Sequence, residues 1–344
     1  MSQFIQLHLL TSYAPSNLNR DDLGRPKTAK MGGFERLRVS SQSLKRNWRV
    51  SDLFEQAMAG NIGIRTKRFG VEVYDALLAA GVKEKPAKEW ATSIAGVFGK
   101  GKKDSLEIEQ LAHISPAEQE GALALVKLLA AEERAPSDAD LKLLKADQTA
   151  VDIALFGRML ASSPAFNVEA ACQVAHAISV HSVVLEDDYF TAVDDLNDGK
   201  VDSGSSHIGE SGFAAALFYS YICINKSQLI ENLDGNEELA NNAIKALVEA
   251  AVKVSPKGKQ NSFASRAYAS FVLAEKGTQQ PRSLSVAFLK PVTDEDQASA
   301  AIAALQLQAD NFDKVYGACA DERYAINAIQ GEGSFDELAK FITQ

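Results

Sequence analysis

An α+β fold built on the order strand, helix, strand, strand, helix, strand is predicted by three observations. Short runs with strand character lie at 4–10, 181–185, 213–225 and 268–274. Two long stretches, 41–58 and 237–254, carry helical periodicity. The intervening segments change composition, being rich in Ala, Glu and Lys at 59–148 and acidic with glycine and serine at 187–212, and so read as insertions into that core. With the insertions removed, the order βαββαβ is ferredoxin-like: an antiparallel sheet with helices on one face and the other face free for a ligand, an arrangement many RNA-binding modules use.

The first strand puts Ile5, Leu7 and Leu9 on one face and Gln6 and His8 on the other. Residues 11–33 contain Pro15, Pro26 and Gly32-Gly33, which predicts no regular element but a flexible or hairpin-like excursion. RLRV then alternates as a strand into the helix at 41–58, with Ser40 or Ser41 as its N-cap. Within 59–148, helices are expected at 70–80, 86–98, 117–133 and 138–146, separated by Gly81, the glycines at 99 and 101, and Pro136. VDIALFGRML (151–160) fits a strand or a short helix, and the alanine content of NVEAACQVAHAISV (167–180) predicts a helix. The strand at 213–225 separates Phe218 from Tyr219 and Tyr221 across its faces. A helix at 294–315 and a last helix with a capping box from Ser334 and Glu337 complete the chain.

The 344 residues supply ample apolar content for a core and no apolar stretch of membrane-spanning length. The first residues lack a charged n-region and a cleavage pattern, so secretion is not expected. Cys172, Cys223 and Cys319 are odd in number, widely separated and without CxxC spacing, which argues against a disulfide framework or a zinc site and predicts buried thiols in a reducing cytoplasm. His8, His113, His176, His181 and His207 form no metal-ligand or nucleophile motif, and the glycine clusters do not spell a phosphate-binding loop. No cofactor is expected. Asp187, Asp188, Asp194 and Asp195, with Asp21 and Asp22, raise a metal-nuclease reading, against which stands the commoner pairing of acidic loops with nearby cations.

Charge is distributed unevenly. Between residues 20 and 49 nine cations (Arg20, Arg25, Lys27, Lys30, Arg36, Arg38, Lys45, Arg46, Arg49) face only Asp21, Asp22 and Glu35, leaving +6 there and −15 on the rest of a chain of net charge −9. Gln42, Lys45, Arg46 and Arg49 recur at helical spacing on one face, with Leu44 and Trp48 on another, just after a helix start whose free N–H groups attract anions. A basic island on an acidic chain reads as a local polyanion track, with a merely solvated helical face as the plain alternative.

Six stretches, FIQLHLLTSYAPSNLNRDD, RLRVSSQSLKRNWR, DIALFGRM, VAHAISVHSV, DYFTAVDD with GSSHIGE, and FYSYICIN, resemble in collinear order the CasC backbone subunit of the type I-E CRISPR surveillance complex, Cascade. The resemblance is strongest over 4–49 and 151–225. It implies a hand-shaped subunit: an RRM-like, ferredoxin-like palm (1–58, 174–189 and 213–344), a helical fingers insertion (59–173) and a thumb loop (190–212). It also implies a non-catalytic protein that stacks with other copies of itself along CRISPR RNA. The presented bases would pair with target DNA, alongside other Cascade subunits and a separate helicase-nuclease.

Carried over by position, the resemblance implies RNA-backbone contacts from Arg20, Lys27, Ser40, Gln42, Lys45, Arg46 and Arg49, residue types that grip phosphate and 2′-OH without reading bases. Arg36 and Arg38 are weaker candidates, since strand residues can face away. Met159, with Phe190, Thr191 and Ala192, resembles the family elements that wedge at a displaced nucleotide; a lone Met is otherwise usually core. Lys257, Lys259, Gln260 and Asn261 lie in a Gly- and Pro-bearing loop, for which contact with RNA or a neighbour and simple solvation both stay open. A metal-dependent ribonuclease and a structural oligomer without nucleic acid are the rival readings.

Overall fold

Residues 2–145, 150–192 and 207–344 are described in the computed structural model. The chain begins with β1 (Phe4–Ser16), β2 (Thr28–Met31), β3 (Phe34–Val39), α1 (Ser41–Arg49) and α2 (Asp52–Ala57). There follow β4 (Ile64–Thr66), α3 (Phe69–Ala79), α4 (Glu84–Gly96), β5 (Ala112–Ile114), α5 (Pro116–Glu132) and α6 (Val151–Phe156). Next come β6 (Cys172–Val174), β7 (Ala177–Ser179), β8 (Glu186–Ala192), β9 (His207–Asn225), α7 (Lys226–Asn232) and α8 (Glu237–Lys253). The last elements are α9 (Gln260–Phe263), β10 (Phe271–Gly277), α10 (Gln297–Tyr316), β11 (Glu322–Asn327) and α11 (Phe335–Thr343). Two compact units result, one from Phe54–Gln173 with Ile224–Ala246, the other from Gln3–Leu53, Val174–Cys223 and Leu247–Gln344.

The first of these units is mostly helical. Phe69, Val73 and Leu77 of α3, Ala91 and Ile94 of α4, and Ala122, Leu125 and Leu129 of α5 recur at helical spacing and form its core with Ile114 of the two-stranded β4–β5 sheet. Helix α5 starts in a full capping box, Ser115 with Glu118, and has Pro116 in its first turn. The helix expected at 138–146 is absent over its described residues: Asp140 accepts from the backbone and hydroxyl of Ser137 and from Arg134, local bonds that compete with a helical turn.

The second unit holds a sheet in the order β11-β10-β1-β9-β7-β3-β2, with β8 paired along the start of β9. Strand β1 is antiparallel to β10, and β7 to both β3 and β9. Several expectations change here. The supposed excursion at 11–33 contains the second half of β1 and strand β2, which turns into β3 through Gly32 and Gly33 at φ +61° and +87°, the conformation of a two-residue hairpin turn. Residues 167–180, expected as helix, supply β6 and β7, because pairing with neighbouring strands outweighs alanine's helix propensity. No strand forms at 181–185: β7 ends at Ser179 before it and β8 starts at Glu186 after it. The first long helix breaks at Ser51, whose hydroxyl donates to the Trp48 carbonyl at 2.7 Å. In α11 the capping box is half formed: Ser334 Oγ accepts from Glu337 N–H, while the Tyr324 hydroxyl accepts from Ser334 N–H and donates to Glu337. Cys172 and Cys223 are buried as expected and Cys319 is partly exposed.

The sheet does not leave one face open. Leu9 and Phe218 point to the side of Leu44 and Trp48, while Leu10, Leu217, Tyr219, Phe271 and Leu273 pack beneath Ala301, Ile302 and Leu305 of α10. On that second face lies a buried polar chain. Glu275 accepts from Arg282, from Arg323 Nε at 2.7 Å and from His8 Nε2 at 3.1 Å; His8 Nδ1 accepts from the Tyr219 hydroxyl at 2.9 Å, which in turn accepts from Leu284 N–H. A carboxylate, an imidazole and a hydroxyl in line resemble a catalytic triad, but His8 and Glu275 are fully buried and no substrate reaches them, so the chain is a core network.

Burial, over the opposing pull of Glu275, lowers the His8 pKa from 6.5. Burial alone would raise Glu275, yet hydrogen bonds from His8 and Arg282 hold it well below the usual carboxylate range. His8 is therefore neutral when folded and gains a proton on unfolding below about pH 6.5, and Glu275 behaves likewise below about pH 4.5, so both lose stability with acid. Stability is expected to fall by up to about 1.4 kcal/mol per pH unit between pH 6.5 and 5 in denaturant titrations, with His8→Gln flattening that slope; equal slopes in the two proteins would contradict this.

Candidate nucleic-acid interface

Three polar side chains fix the start of α1. Ser40, extended at φ −68° and ψ 146°, accepts the Ser43 N–H on its hydroxyl at 3.3 Å and donates its own N–H to Asn19 Oδ1 at 2.9 Å. Asn47, buried beside Leu44 and Trp48, donates to the Ser43 carbonyl at 2.7 Å and accepts the Lys257 N–H at 3.2 Å. The loop bearing Lys257 lies so close that a Cβ on Gly258 would stand 2.1 Å from the Leu18 carbonyl oxygen.

These ties leave an open groove of about 540 Å³, lined among others by Arg20, Asp21, Asp22, Ser43, Arg46 and Lys257. Of the residues predicted from sequence, Arg20, Arg46 and Lys257 therefore meet in one groove. Gln42 is exposed on the first turn of α1, and Lys45 and Arg49 are half-buried on the flank away from Leu44 and Trp48. Ser40 is buried as the cap, and Lys27 is half-buried next to β2. Asp21 spends Oδ1 on the N–H groups of Leu23 and Arg25, and Arg25 pairs with Asp187, so these acids organise the loop and the β8 edge. Among the described residues no group of three His, Cys, Asp or Glu could hold a metal ion. Asp194 and Asp195 lie outside the described residues.

Lys259 has a local partner: its ammonium donates to Ser211 Oγ at 2.7 Å, and Phe263 of α9 packs tilted on Phe213 at 6.1 Å, so this loop braces the base of the β8–β9 hairpin. Gln260 is half-buried and Asn261 exposed. In that hairpin Phe190 lies across Gly209, its register partner, and is 44% exposed; Thr191 is exposed, and Ala192 ends β8 opposite His207. Arg36 is buried and donates to the carbonyls of Ser179 and Phe288, which removes it from any surface role.

In the helical unit Met159 is 85% exposed. Its neighbours are fixed: Arg158 makes a buried 2.7 Å ion pair with Glu118, the same carboxylate that closes the α5 capping box, and bridges Val168 through the backbone, while Leu160 is buried and donates to Asn167. A flexible apolar side chain thus stands on a rigid footing, the reverse of a core methionine.

The sequence reading missed Asn19 and Asn47. Both act through contacts made along the chain, Asn19 with Ser40 and Asn47 with a residue 210 positions away, and the one local signal was an asparagine pair, Asn17 and Asn19, in a segment expected to be a flexible or hairpin-like excursion.

The comparisons agree on one relationship. Residues 5–340 match the family model of the CT1975-like protein, and the chain belongs to that family. It is similar to a chain of the solved structure "CRISPR RNA-guided surveillance complex, pre-nicking", with 30% identity, 99% of each chain covered and a TM-score of 0.83. It is also similar to a chain of "CRISPR RNA-guided surveillance complex", with 25% identity, 99% of each chain covered and a TM-score of 0.73. No curated protein matches it. Among the described residues no helix is long and apolar enough to cross a membrane.

Removing Arg158 leaves Glu118 charged and buried, so Arg158→Ala is expected to destabilise the chain by about 3–5 kcal/mol, and Met159→Ala by less than about 0.5 kcal/mol, in chemical denaturation. Ser40→Ala is expected to cost about 1 kcal/mol.

Proposed function

We propose that this chain is a backbone subunit of a CRISPR RNA-guided surveillance complex of the type I-E Cascade kind. It holds guide RNA by its sugar-phosphate chain, stacks with further copies along it, and leaves the bases free to pair with target DNA. It is not an enzyme. The strand order β10-β1-β9-β7 supports reading residues 1–58, 174–189 and 213–344 as a ferredoxin-like palm, with β7 as the second palm strand; 59–173 is then the fingers and 190–212 the thumb.

The observation that carries the reading is the groove at the start of α1, where Arg20, Arg46 and Lys257 converge next to Gln42, Lys45 and Arg49. Such donors hold phosphate whatever the sequence, as a protein that accepts any guide requires. Lys27 and Ser40 extend the track, and Lys259, Gln260 and Asn261 set the thumb base that the RNA passes. Met159 on its fixed footing is suited to separating stacked nucleotides; the resemblance gives Phe190, Thr191 and Ala192 of β8 the same kind of role.

Purification with and without a CRISPR transcript tests this: discrete RNA-dependent assemblies are expected, and assembly without RNA, or loss of RNA with added Mg²⁺, would contradict it. On single-stranded guide, Lys45→Glu with Arg49→Glu is expected to flatten the log–log salt dependence of binding by about 1.4, about 0.7 for each phosphate that is no longer neutralised. An unchanged slope would exclude this site.

A further inference from the structure

Strand β3 carries a second basic grouping just before α1. Arg38 donates from Nη1 to His176 Nδ1 at 3.1 Å and from Nε to the Thr28 carbonyl at 3.4 Å, and its N–H donates to the Lys27 carbonyl at 2.8 Å. Lys27 and Arg38 are half-buried and His176 is exposed. Because Nδ1 accepts, the imidazole is neutral and carries its proton on Nε2. Desolvation, then the charges of Arg38 and Lys27, lower the His176 pKa. No ion pair to a carboxylate is found for any of the three among the described residues. The patch therefore offers an ammonium, the remaining Nη2 end of a guanidinium and an imidazole N–H to an anion.

We infer that Lys27, Arg38 and His176 form a second clamp for a phosphodiester of the guide RNA. The inference rests on the RNA-binding reading above and extends its track, since Asn19 lines both the groove and the small cleft that Lys27 and Arg38 share. A phosphodiester presents two non-bridging oxygens with one charge, which suits two cationic donors and one neutral donor; Arg38 reaches it through Nη2, its Nε and Nη1 being held by Thr28 and His176, and His176 adds a hydrogen bond without charge.

Binding of the full chain to a CRISPR transcript across a salt series tests the clamp. Arg38→Gln is expected to reduce the slope by about 0.7 and weaken binding on the order of tenfold, whereas Arg38→Lys keeps the slope. His176→Ala at pH 8 is expected to weaken binding about threefold with no change of slope, since it removes a neutral donor. The melting temperature of the free chain should not fall in Arg38→Lys, which separates binding from folding. The clamp is overturned if Arg38→Gln leaves the slope on guide RNA unchanged, including the case in which only target-DNA binding by the assembled complex weakens. Lys45→Glu with Arg49→Glu is the reference. If that double variant flattens the slope and Arg38→Gln does not, the groove stands and the clamp falls; if neither does, the RNA-binding reading has failed with it.

Discussion

The gathering of cations depends on how the first turn of α1 is held. Ser40, Asn19 and Asn47 link the strand before the helix, the loop after β1 and the loop at Lys257 by hydrogen bonds of 2.7 to 3.3 Å. The bonds made by Ser40 and Asn47 are costly to leave unmade, because both residues are buried; that constraint brings Arg20, Arg46 and Lys257 to one groove although they come from three separated segments. Leu44 and Trp48 anchor the opposite side of the helix in the core, so the basic side has one direction left to face.

That arrangement suits a polymer more than a small ligand. The groove is open, its donors are mostly charged and on long side chains, and one of the acids within it, Asp21, accepts the backbone N–H groups of Leu23 and Arg25. Within the helical unit, taken by itself, Met159 is exposed beside the buried pair of Arg158 and Glu118. Charge for the backbone and an apolar side chain for the stack are the two contacts a single strand offers at every step.

Local periodicity made α1, α3, α4, α5, α8 and α10 legible in the sequence, because each buries residues at spacings of three and four. The shared face of Gln42, Lys45, Arg46 and Arg49 was legible for the same reason. Features set by distant partners were not. Alanine-rich 167–180 becomes β6 and β7 through pairing with strands elsewhere in the chain, and the excursion at 11–33, legible as hairpin-like, also holds the second half of β1 and strand β2, where no regular element was expected. Gln6 and His8 sit at polar positions of an alternating strand, yet both are buried, because Glu275, Arg282, Tyr219 and Tyr221 complete a network over them. With α10 packed on that side as well, the sheet face expected to be free is covered over these residues, while the basic groove lies at the start of α1, where the sequence placed the polyanion track.

The most direct measurement is an electron cryomicroscopy map of the chain assembled on a CRISPR transcript, at a resolution that shows individual phosphates. Backbone density is expected in the groove within hydrogen-bond reach of Arg20 and Arg46, with the bases turned away from α1. Guide RNA that bypasses this groove, or bases inserted into it with phosphates outward, would contradict it.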